Sequence, residues 1–489
     1  MIIVSITGPS MKEALAQVRS SDPHADAFEF RLDMIASPDI TRLLHSSSRP
    51  SIVTCRPKWE GGKYKGTEEK RLRLLESAAA AGAHYIDVEL DADGLFHRQF
   101  LDRREQTKVI ISHHRFDAGA VPVRSLFRRM RATGADVIKL AYMARDVADN
   151  RFAVDFLGLA KNHGQNAVAI AMGEAGEPSR ILYRKFEGWA TYAEPLKGKG
   201  AAPGQLPVDE MKLLYQSHLR PNAVFGVVGY PLHQSKGVYV HNELFNRHST
   251  NGSSRTRPGV YCRFPVRRLS SFFKYVVPWL DGFSVTIPHK QAVIKYLDEL
   301  DPVSEAIGAV NTVIRRNGKL IGYNTDAPGA LDAIEAVGKV KGSRMLIVGA
   351  GGAARAIVYE AKQRGAVVLV TNRTEKKARD LANEFGLEQV RMSEVRTARF
   401  DILVNATSVG MVPNVNASPV PKEILKGKIV FDAVYNPRMT KLLRDAESVG
   451  ATIISGTEMY LNQAARQFLL YTGEKPDIQQ MRTILHEHL

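Results

Sequence analysis

Hydrophobic positions in the first 215 or so residues come in short β-branched runs separated by longer amphipathic stretches. Runs that predict strands begin at Ile2, Phe28, Ile52, Tyr85, Val109, Val137 and Ala167, with a weaker eighth near Thr191. Between them, segments such as 68–80 and 123–133 carry apolar residues at helical spacing. About eight strand–helix units in about 210 residues predict a closed (β/α)8 barrel of the TIM type more than an open sheet. In that architecture chemistry collects at the C-terminal ends of the strands, and most polar residues of interest fall at such ends.

Beyond the barrel, residues 208–219 read as a helix that Arg220-Pro221-Asn222 breaks, leaving a boundary few contacts need cross. A second α/β pattern starts at Ala223. The stretch from His248 to Pro258 is rich in Ser, Thr, Asn, Gly and Arg and predicts a mobile loop. Around Met345 the order becomes strand, glycine turn, helix, strand. One barrel followed by a two-lobed α/β unit with a Rossmann domain is the expectation.

Composition narrows the classes. At 489 residues, 44% hydrophobic and 24% charged, the chain reads as a multidomain globular protein. No apolar run reaches the roughly 18 residues that would cross a bilayer, so no membrane partner is expected. The apolar start, Met1 to Ile6, reads as a strand and not as a secretory signal. Cys55 and Cys262 make neither a disulfide framework nor a zinc site, no metal is expected, and a cytoplasmic location follows. The net charge of +16 is spread along the chain without a nucleic-acid module, so it reads as a solvated basic surface.

Several residues in the barrel half carry candidate chemistry. Lys139 closes the apolar run from Ala135, where desolvation would lower its pKa and make the amine nucleophilic. Read alone, it is better described as a strand-end lysine that snorkels to solvent. His113-His114 follow the run from Val109. Glu29-Phe30-Arg31-Leu32-Asp33 alternates charged and apolar residues, and Arg56 precedes Glu60-Gly61-Gly62.

Together these residues, with Ser112-x-His114-x-Phe116, Arg180 and Ala202-Pro203-Gly204-Gln205, resemble the type I 3-dehydroquinate dehydratases over about residues 1–210. The resemblance implies that Lys139 forms an iminium ion with 3-dehydroquinate. His114, titrating near neutrality, would then remove a proton and return it to the leaving hydroxyl. It further implies that Glu60 orients His114, that Arg180 holds the substrate carboxylate, and that Glu29, Arg31, Arg56 and Gln205 grip the hydroxyls. The family usually has a serine where this chain has Ala201, which bears on substrate affinity.

In the second half, Met345-Leu346-Ile347-Val348 runs into Gly349-Ala350-Gly351-Gly352-Ala353-Ala354, a dinucleotide fingerprint in its strand–turn–helix setting. The next strand ends at Asn372-Arg373-Thr374 with Lys377 beyond, basic where an NAD enzyme would be acidic, which argues for NADP. Ser284 to Lys290 predicts a strand leading into a proline-marked helix start. Gly308 to Thr312 and Tyr323 to Asp326 end short β-runs. Lys290 and Asp326 form either an acid/base unit or a structural salt bridge.

These stretches, with Ser235-Lys236, His241, Asn405-Ala406-Thr407, Tyr435 and Gln463-Ala464-Ala465, resemble the shikimate dehydrogenases from Ala223 onward. The resemblance implies reduction of 3-dehydroshikimate by NADPH, with Lys290 and Asp326 as the acid/base pair. Ser235, Thr286, Asn311, Tyr435 and Gln463 would hold substrate, and Asn405, Thr407 and Gly456 would join the glycine turn at the cofactor. Gly237 replaces a serine usual in the family, which leaves quinate open as a substrate. The implied domains are a dehydratase barrel at 1–219, a substrate-binding domain at 222–330 completed by helices over about 456–489, and a Rossmann domain at 331–455. The product of the first half is the substrate of the second, so 3-dehydroquinate, 3-dehydroshikimate and shikimate are the expected ligands, in a monomer or homodimer. The alternatives are a quinate-directed dehydrogenase with a barrel of reduced activity and a non-catalytic sensor.

Overall fold

The computed structural model describes residues 1–92, 100–101, 106–117, 119–232, 235–248 and 256–488. The chain divides into two compact units, Met1–His233 with Phe245–Leu280, and Gln234–Leu244 with Asp281–Leu489.

In the first unit eight parallel strands follow one another: β1 (Ile2–Ile6), β2 (Ala27–Arg31), β3 (Ser51–Thr54), β4 (Tyr85–Glu89), β5 (Lys108–Arg115), β6 (Val137–Met143), β7 (Asn166–Met172) and β8 (Thr191–Ala193). Their order, β7-β6-β5-β4-β3-β2-β1-β8, is that of a barrel whose ladder is open only between β7 and β8. There a single backbone bond, Trp189 N–H to the Ala167 carbonyl at 2.8 Å, spans the gap. All eight predicted strands are present, most within one residue of their predicted starts.

Side-chain alternation builds the interior in layers. Ile3, Ala27, Ile52, Ile110, Val137 and Val168 form an apolar floor. Because strand side chains repeat with period two, the next inward position along each strand is Ser5, Glu29, Thr54, Ser112, Lys139 or Ile170. Asp87 stands likewise above Tyr85, which packs against the floor. The polar layer therefore sits one pleat above a hydrophobic plug, and all seven of these residues are buried.

Three readings of the sequence change here. Lys139 and His113-His114 lie inside their strands, not past the ends, because β5 and β6 run on to Arg115 and Met143. The predicted helix over 208–219 shrinks to a π turn at Glu210–Leu214. Arg220-Pro221-Asn222 does not mark a break but opens β9 (Arg220–Gly229), which pairs in parallel with β10 (Thr256–Pro265). Proline is tolerated at the start of a strand, where few ladder bonds need its missing N–H. Of the loop predicted over 248–258, residues 249–255 lie outside the described residues, and β10 already begins at Thr256.

The same unit joins residues 245–280 to the barrel. Asn246 donates to the Leu213 and Leu214 carbonyls, Arg263 to the Tyr215 hydroxyl, and Ser271 to Asp146. Phe186 and Trp279 meet edge to face, 5.1 Å apart.

In the second unit, β11 (Gly282–Val285), β13 (Thr312–Arg316), β14 (Lys319–Tyr323) and β12 (Glu299–Leu300) pair in that order. A parallel sheet follows, β17-β16-β15-β18-β19-β20, built from Glu388–Gln389, Val367–Thr371, Arg344–Val348, Ile402–Asn405, Ile429–Asp432 and Thr452–Ile454. Strand order reverses beside β15, the Rossmann arrangement. The helix Asp326–Glu335 packs along the helix Gly456–Thr472. Their contact passes through Gly329, where a β-carbon would stand 2.9 Å from the Gln463 backbone nitrogen. Gly329→Val should therefore push the two helices apart and destabilise the protein by about 1–3 kcal/mol, read as a lower denaturant midpoint. An unchanged midpoint would show that this crossing has slack.

Candidate active sites

The polar layer of the barrel converges on Lys139, which is 4% exposed. Its ammonium lies 3.0 Å from Asp87 and 3.3 Å from Glu29, and 3.9 Å from the Tyr192 ring centre. Glu29 also accepts from Ser5 at 2.8 Å and from Thr54 at 3.0 Å. Beside it, buried Arg56 pairs with Glu89 at 2.7 Å and Asp87 at 2.9 Å, donates to Ser112 at 2.7 Å, and reaches Glu60 at 3.5 Å. Arg71 closes the frame from the far side of Glu89, at 2.7 Å.

Two expectations about titration are overturned. Burial pushes the Lys139 pKa down, but the Asp87 and Glu29 carboxylates outweigh it, so the group sits above its ordinary value and is protonated at rest. Nor does His114 titrate near neutrality. Burial, with the positive charges of Arg56 and Lys139, outweighs its bond to Glu60 and lowers it to about 4. The imidazole is therefore neutral across the physiological range. Its Nδ1 stands 2.8 Å from Glu60 Oε2. Burial raises Glu60, but the adjacent His113 and His114 rings and the charge of Arg56 outweigh it and lower the group to about 2.

Arg180 differs from the other buried arginines of the barrel, Arg31, Arg56 and Arg71, each of which is paired with a carboxylate. It is 1% exposed, it donates only to the Tyr192 and Pro203 carbonyls, and no described carboxylate lies within ion-pair distance. Its Nε has no hydrogen-bond partner. Burial lowers its pKa to about 10. A buried guanidinium with a spare donor is a site for an anion. Gln205 accepts from the Ala201 backbone N–H at 2.6 Å and donates to Ser5 at 3.3 Å. Arg31 is bound through two bonds to Asp33. Lys139, His114, Arg180, Glu29, Arg31, Arg56 and Gln205 all line one cleft of about 370 Å³, open mouth included. Glu60 sits behind His114. Sequence reasoning missed Asp87 and Glu89, although acidic residues two apart in the apolar run of β4 were a visible signal.

In the second unit Lys290 Nζ lies 2.5 Å from Asp326 Oδ2. The helix start predicted at Pro288 is instead a series of turns, because the Lys290 carbonyl is taken by the distant Val310 N–H at 2.8 Å. That bond fixes Lys290 beside the Gly308–Thr312 segment. Asn311 bonds Thr325 through both its amide groups, at 2.9 and 2.8 Å, and Asn324 caps the Asp326 helix. Gln463 faces the same helix across Gly329, with its amide on the Tyr460 carbonyl at 3.0 Å, and Tyr460 packs on Tyr435 at 5.7 Å. Ser235 and Thr286 are half-buried, and no described hydrogen bond joins them to the pair.

The glycine turn meets the requirements of a pyrophosphate. Gly349 adopts φ +127°, and a β-carbon there would stand 2.9 Å from the Ala406 carbonyl. β-Carbons at Gly351 and Gly352 would meet open space, in front of the helix Gly352–Gln363 and its unpaired N–H groups. Ala350 and Ala353 flank this space, and buried Ala354 lets the helix approach its sheet. Asn405 is buried and bonded to Asp432 at 2.9 Å, while Thr407 donates to it at 2.6 Å, so the two shape the adjoining loop. Gly456 opens the last long helix against the Ala433 carbonyl. Beyond β16, Asn372 donates to the Thr374 carbonyl at 3.1 Å, and Arg373 and Lys377 are exposed.

A parallel barrel with a buried lysine in its polar layer, joined to a dinucleotide-binding α/β unit, is the class these two sites define. Family models agree: type I 3-dehydroquinase matches residues 2–220, the shikimate dehydrogenase substrate-binding domain 227–313, and shikimate/quinate 5-dehydrogenase 332–438. The chain is 37% identical, over 96% of its length and 82% of the relative's, to the chloroplastic bifunctional 3-dehydroquinate dehydratase/shikimate dehydrogenase of Arabidopsis thaliana. It is 41% identical to the shikimate dehydrogenase (NADP(+)) of Pyrococcus abyssi, over 54% of this chain and 98% of that one. A quinate dehydrogenase from Corynebacterium glutamicum, solved with NAD, aligns at 28% identity and TM-score 0.50, covering 55% of this chain and all (100%) of its own. The chain belongs to the bifunctional 3-dehydroquinate dehydratase/shikimate dehydrogenase family. No described helix is long and apolar enough to cross a membrane.

The depressed His114 pKa has a consequence for stability. Unfolded, the imidazole binds a proton near 6.5; folded, only near 4. Its contribution is therefore complete well above 6.5 and is lost as pH falls toward 4, by about 2.5 kcal/mol at pH 4.5. His114→Gln should flatten that part of the profile, measured by denaturant midpoints at pH 7 and 4.5. An equal acid loss in both proteins would assign it to other groups.

Proposed function

We propose that the first unit dehydrates 3-dehydroquinate through an iminium on Lys139 and that the second reduces the resulting 3-dehydroshikimate to shikimate. The observation that carries this reading is the buried lysine held by Asp87 and Glu29, facing a neutral histidine and an arginine without a carboxylate partner.

Lys139 rests as a cation. Its amine adds to the C3 ketone and water leaves, so an ammonium becomes an iminium with no net change of charge. The anionic frame that stabilises the one suits the other. His114, the neutral base in the cleft, relays the ammonium proton, takes the acidified C2 proton, and returns a proton to the departing C1 hydroxyl. Glu60 orients His114 and favours its transient cation. Arg180 binds the substrate carboxylate, while Glu29, Arg31, Arg56 and Gln205 order the hydroxyls. Hydrolysis of the product iminium frees Lys139.

In the second unit Lys290 gives a proton to the developing alkoxide, and Asp326 orients it. Ser235, Thr286, Asn311, Tyr435 and Gln463 hold the cyclohexene substrate. The residues at 349–354 fit the pyrophosphate of NADP, and Asn405, Thr407 and Gly456 would help to hold the cofactor. Asn372, Arg373, Thr374 and Lys377 bind the 2′-phosphate. Bound NADPH supplies the hydride. A cytoplasmic location, supported by two free buried cysteines, and a monomer or homodimer complete the reading.

Borohydride added with 3-dehydroquinate should increase the mass of the Lys139 peptide by that of the reduced ligand. Lys139→Ala should lose the adduct and dehydration together while 3-dehydroshikimate reduction persists. Lys290→Ala should do the reverse, slowing reduction by about 100-fold or more. An adduct on another lysine would refute the assignment. For the cofactor, Arg373→Ala should weaken NADPH binding at least tenfold and NADH binding little, because only NADPH carries the 2′-phosphate. Equal losses, by fluorescence titration, would make Arg373 structural.

A further inference from the structure

Glu60, Asp91 and His113 stand together at the mouth of the barrel, beside the acid/base machinery but apart from the cleft. We propose that they bind a divalent transition-metal ion, zinc by ligand chemistry, and that its occupancy restrains the dehydratase.

Two of the three ligand separations match a coordination shell. His113 Nδ1 is 3.4 Å from Glu60 Oε1 and 3.4 Å from Asp91 Oδ2. The three ligand atoms lie within 4.8 Å of one another. Donors about 2.0–2.1 Å from a tetrahedral zinc are separated by roughly 3.3–3.4 Å. The same spacing is poor for hydrogen bonding, and Glu60 Oε1 and His113 Nδ1 are buried without a hydrogen-bond partner. Glu60 is 3% exposed, yet this oxygen is turned away from His114, which holds the other. Asp91 is the solvent-facing member, and Arg129 takes its second oxygen, leaving Oδ2 toward His113.

Charge and ligand type decide between metals. Two carboxylates face the position. Arg56, 3.5 Å from Glu60 Oε2, opposes a cation, but Asp87 and Glu89 already neutralise it. An imidazole among only three protein ligands, with a further position for water, suits zinc and not calcium or magnesium, which take more oxygen donors or near-complete hydration.

The functional consequence rests on the reading of His114 as the base. A metal on Oε1 fixes the Glu60 carboxylate toward His113 and Asp91, competing with the 2.8 Å bond through which Glu60 orients His114. Dehydration should slow, while the second unit's reaction in the same molecule is untouched.

Calorimetric titration of the untagged full chain with zinc chloride should show one saturable equivalent, weakened at least tenfold in Asp91→Asn and in His113→Gln. Zinc should lower the dehydratase kcat and leave NADP-dependent shikimate oxidation unchanged, with EDTA restoring the first. Asp91→Asn should keep its metal-free dehydratase rate and resist zinc. Binding that persists in the double variant, or stoichiometric binding without inhibition, would overturn the proposal. Failure of the underlying reading looks different: no turnover of 3-dehydroquinate even without metal.

Discussion

The barrel depends on the mutual neutralisation of charges that water cannot reach. Lys139, Arg56 and Arg71 are matched by Glu29, Asp87, Glu89 and Glu60 on strands or loops of the same interior. Singly buried, any of these would be strongly destabilising, and removing one leaves its partners uncompensated, typically a loss of about 3–5 kcal/mol. The frame is thus held as a whole, above a floor of aliphatic side chains that gives it a fixed base. The frame keeps an ammonium ion in place while, among the described residues, Arg180 has no carboxylate within ion-pair distance.

Much of this was legible in the chain. Eight β-branched runs and the amphipathic segments between them gave the barrel, because period-two and helical periodicities are properties of sequence. Lys139, His114 and Arg180 stood out by type. What stayed hidden was the sign of their pKa shifts. Desolvation alone would lower Lys139, and only the arrival of Asp87 and Glu29 from other strands reverses it. Such pairings across 52 residues are set by barrel register and leave no local trace. Reading the inward parity of β4 would have recovered Asp87 and Glu89.

The second unit was legible for a different reason. A glycine turn between strand and helix is local chemistry, and Gly349 has the positive φ that its position in the pattern suggests. Lys290 was placed on a helix because proline so often opens one. The carbonyl bond from Val310 overrode that preference, since a tertiary hydrogen bond can outweigh intrinsic propensity. The proline at 221 misled in the same way: its place at the head of β9 depends on pairing with residues some 36 positions away.

The division of the chain into units has an implication for ancestry. The polypeptide passes from the first unit to the second at residue 234, returns at 245, and departs for good after 280. Three covalent passages replace the single tether that a tandem gene fusion would create. Residues 245–280 belong by motif to the reductase yet pack with the barrel, through Asn246, Arg263 and Ser271. A genetic cut near codon 220 would separate the barrel from residues that bond to it. The boundary between the family matches thus does not coincide with the boundary between the compact units.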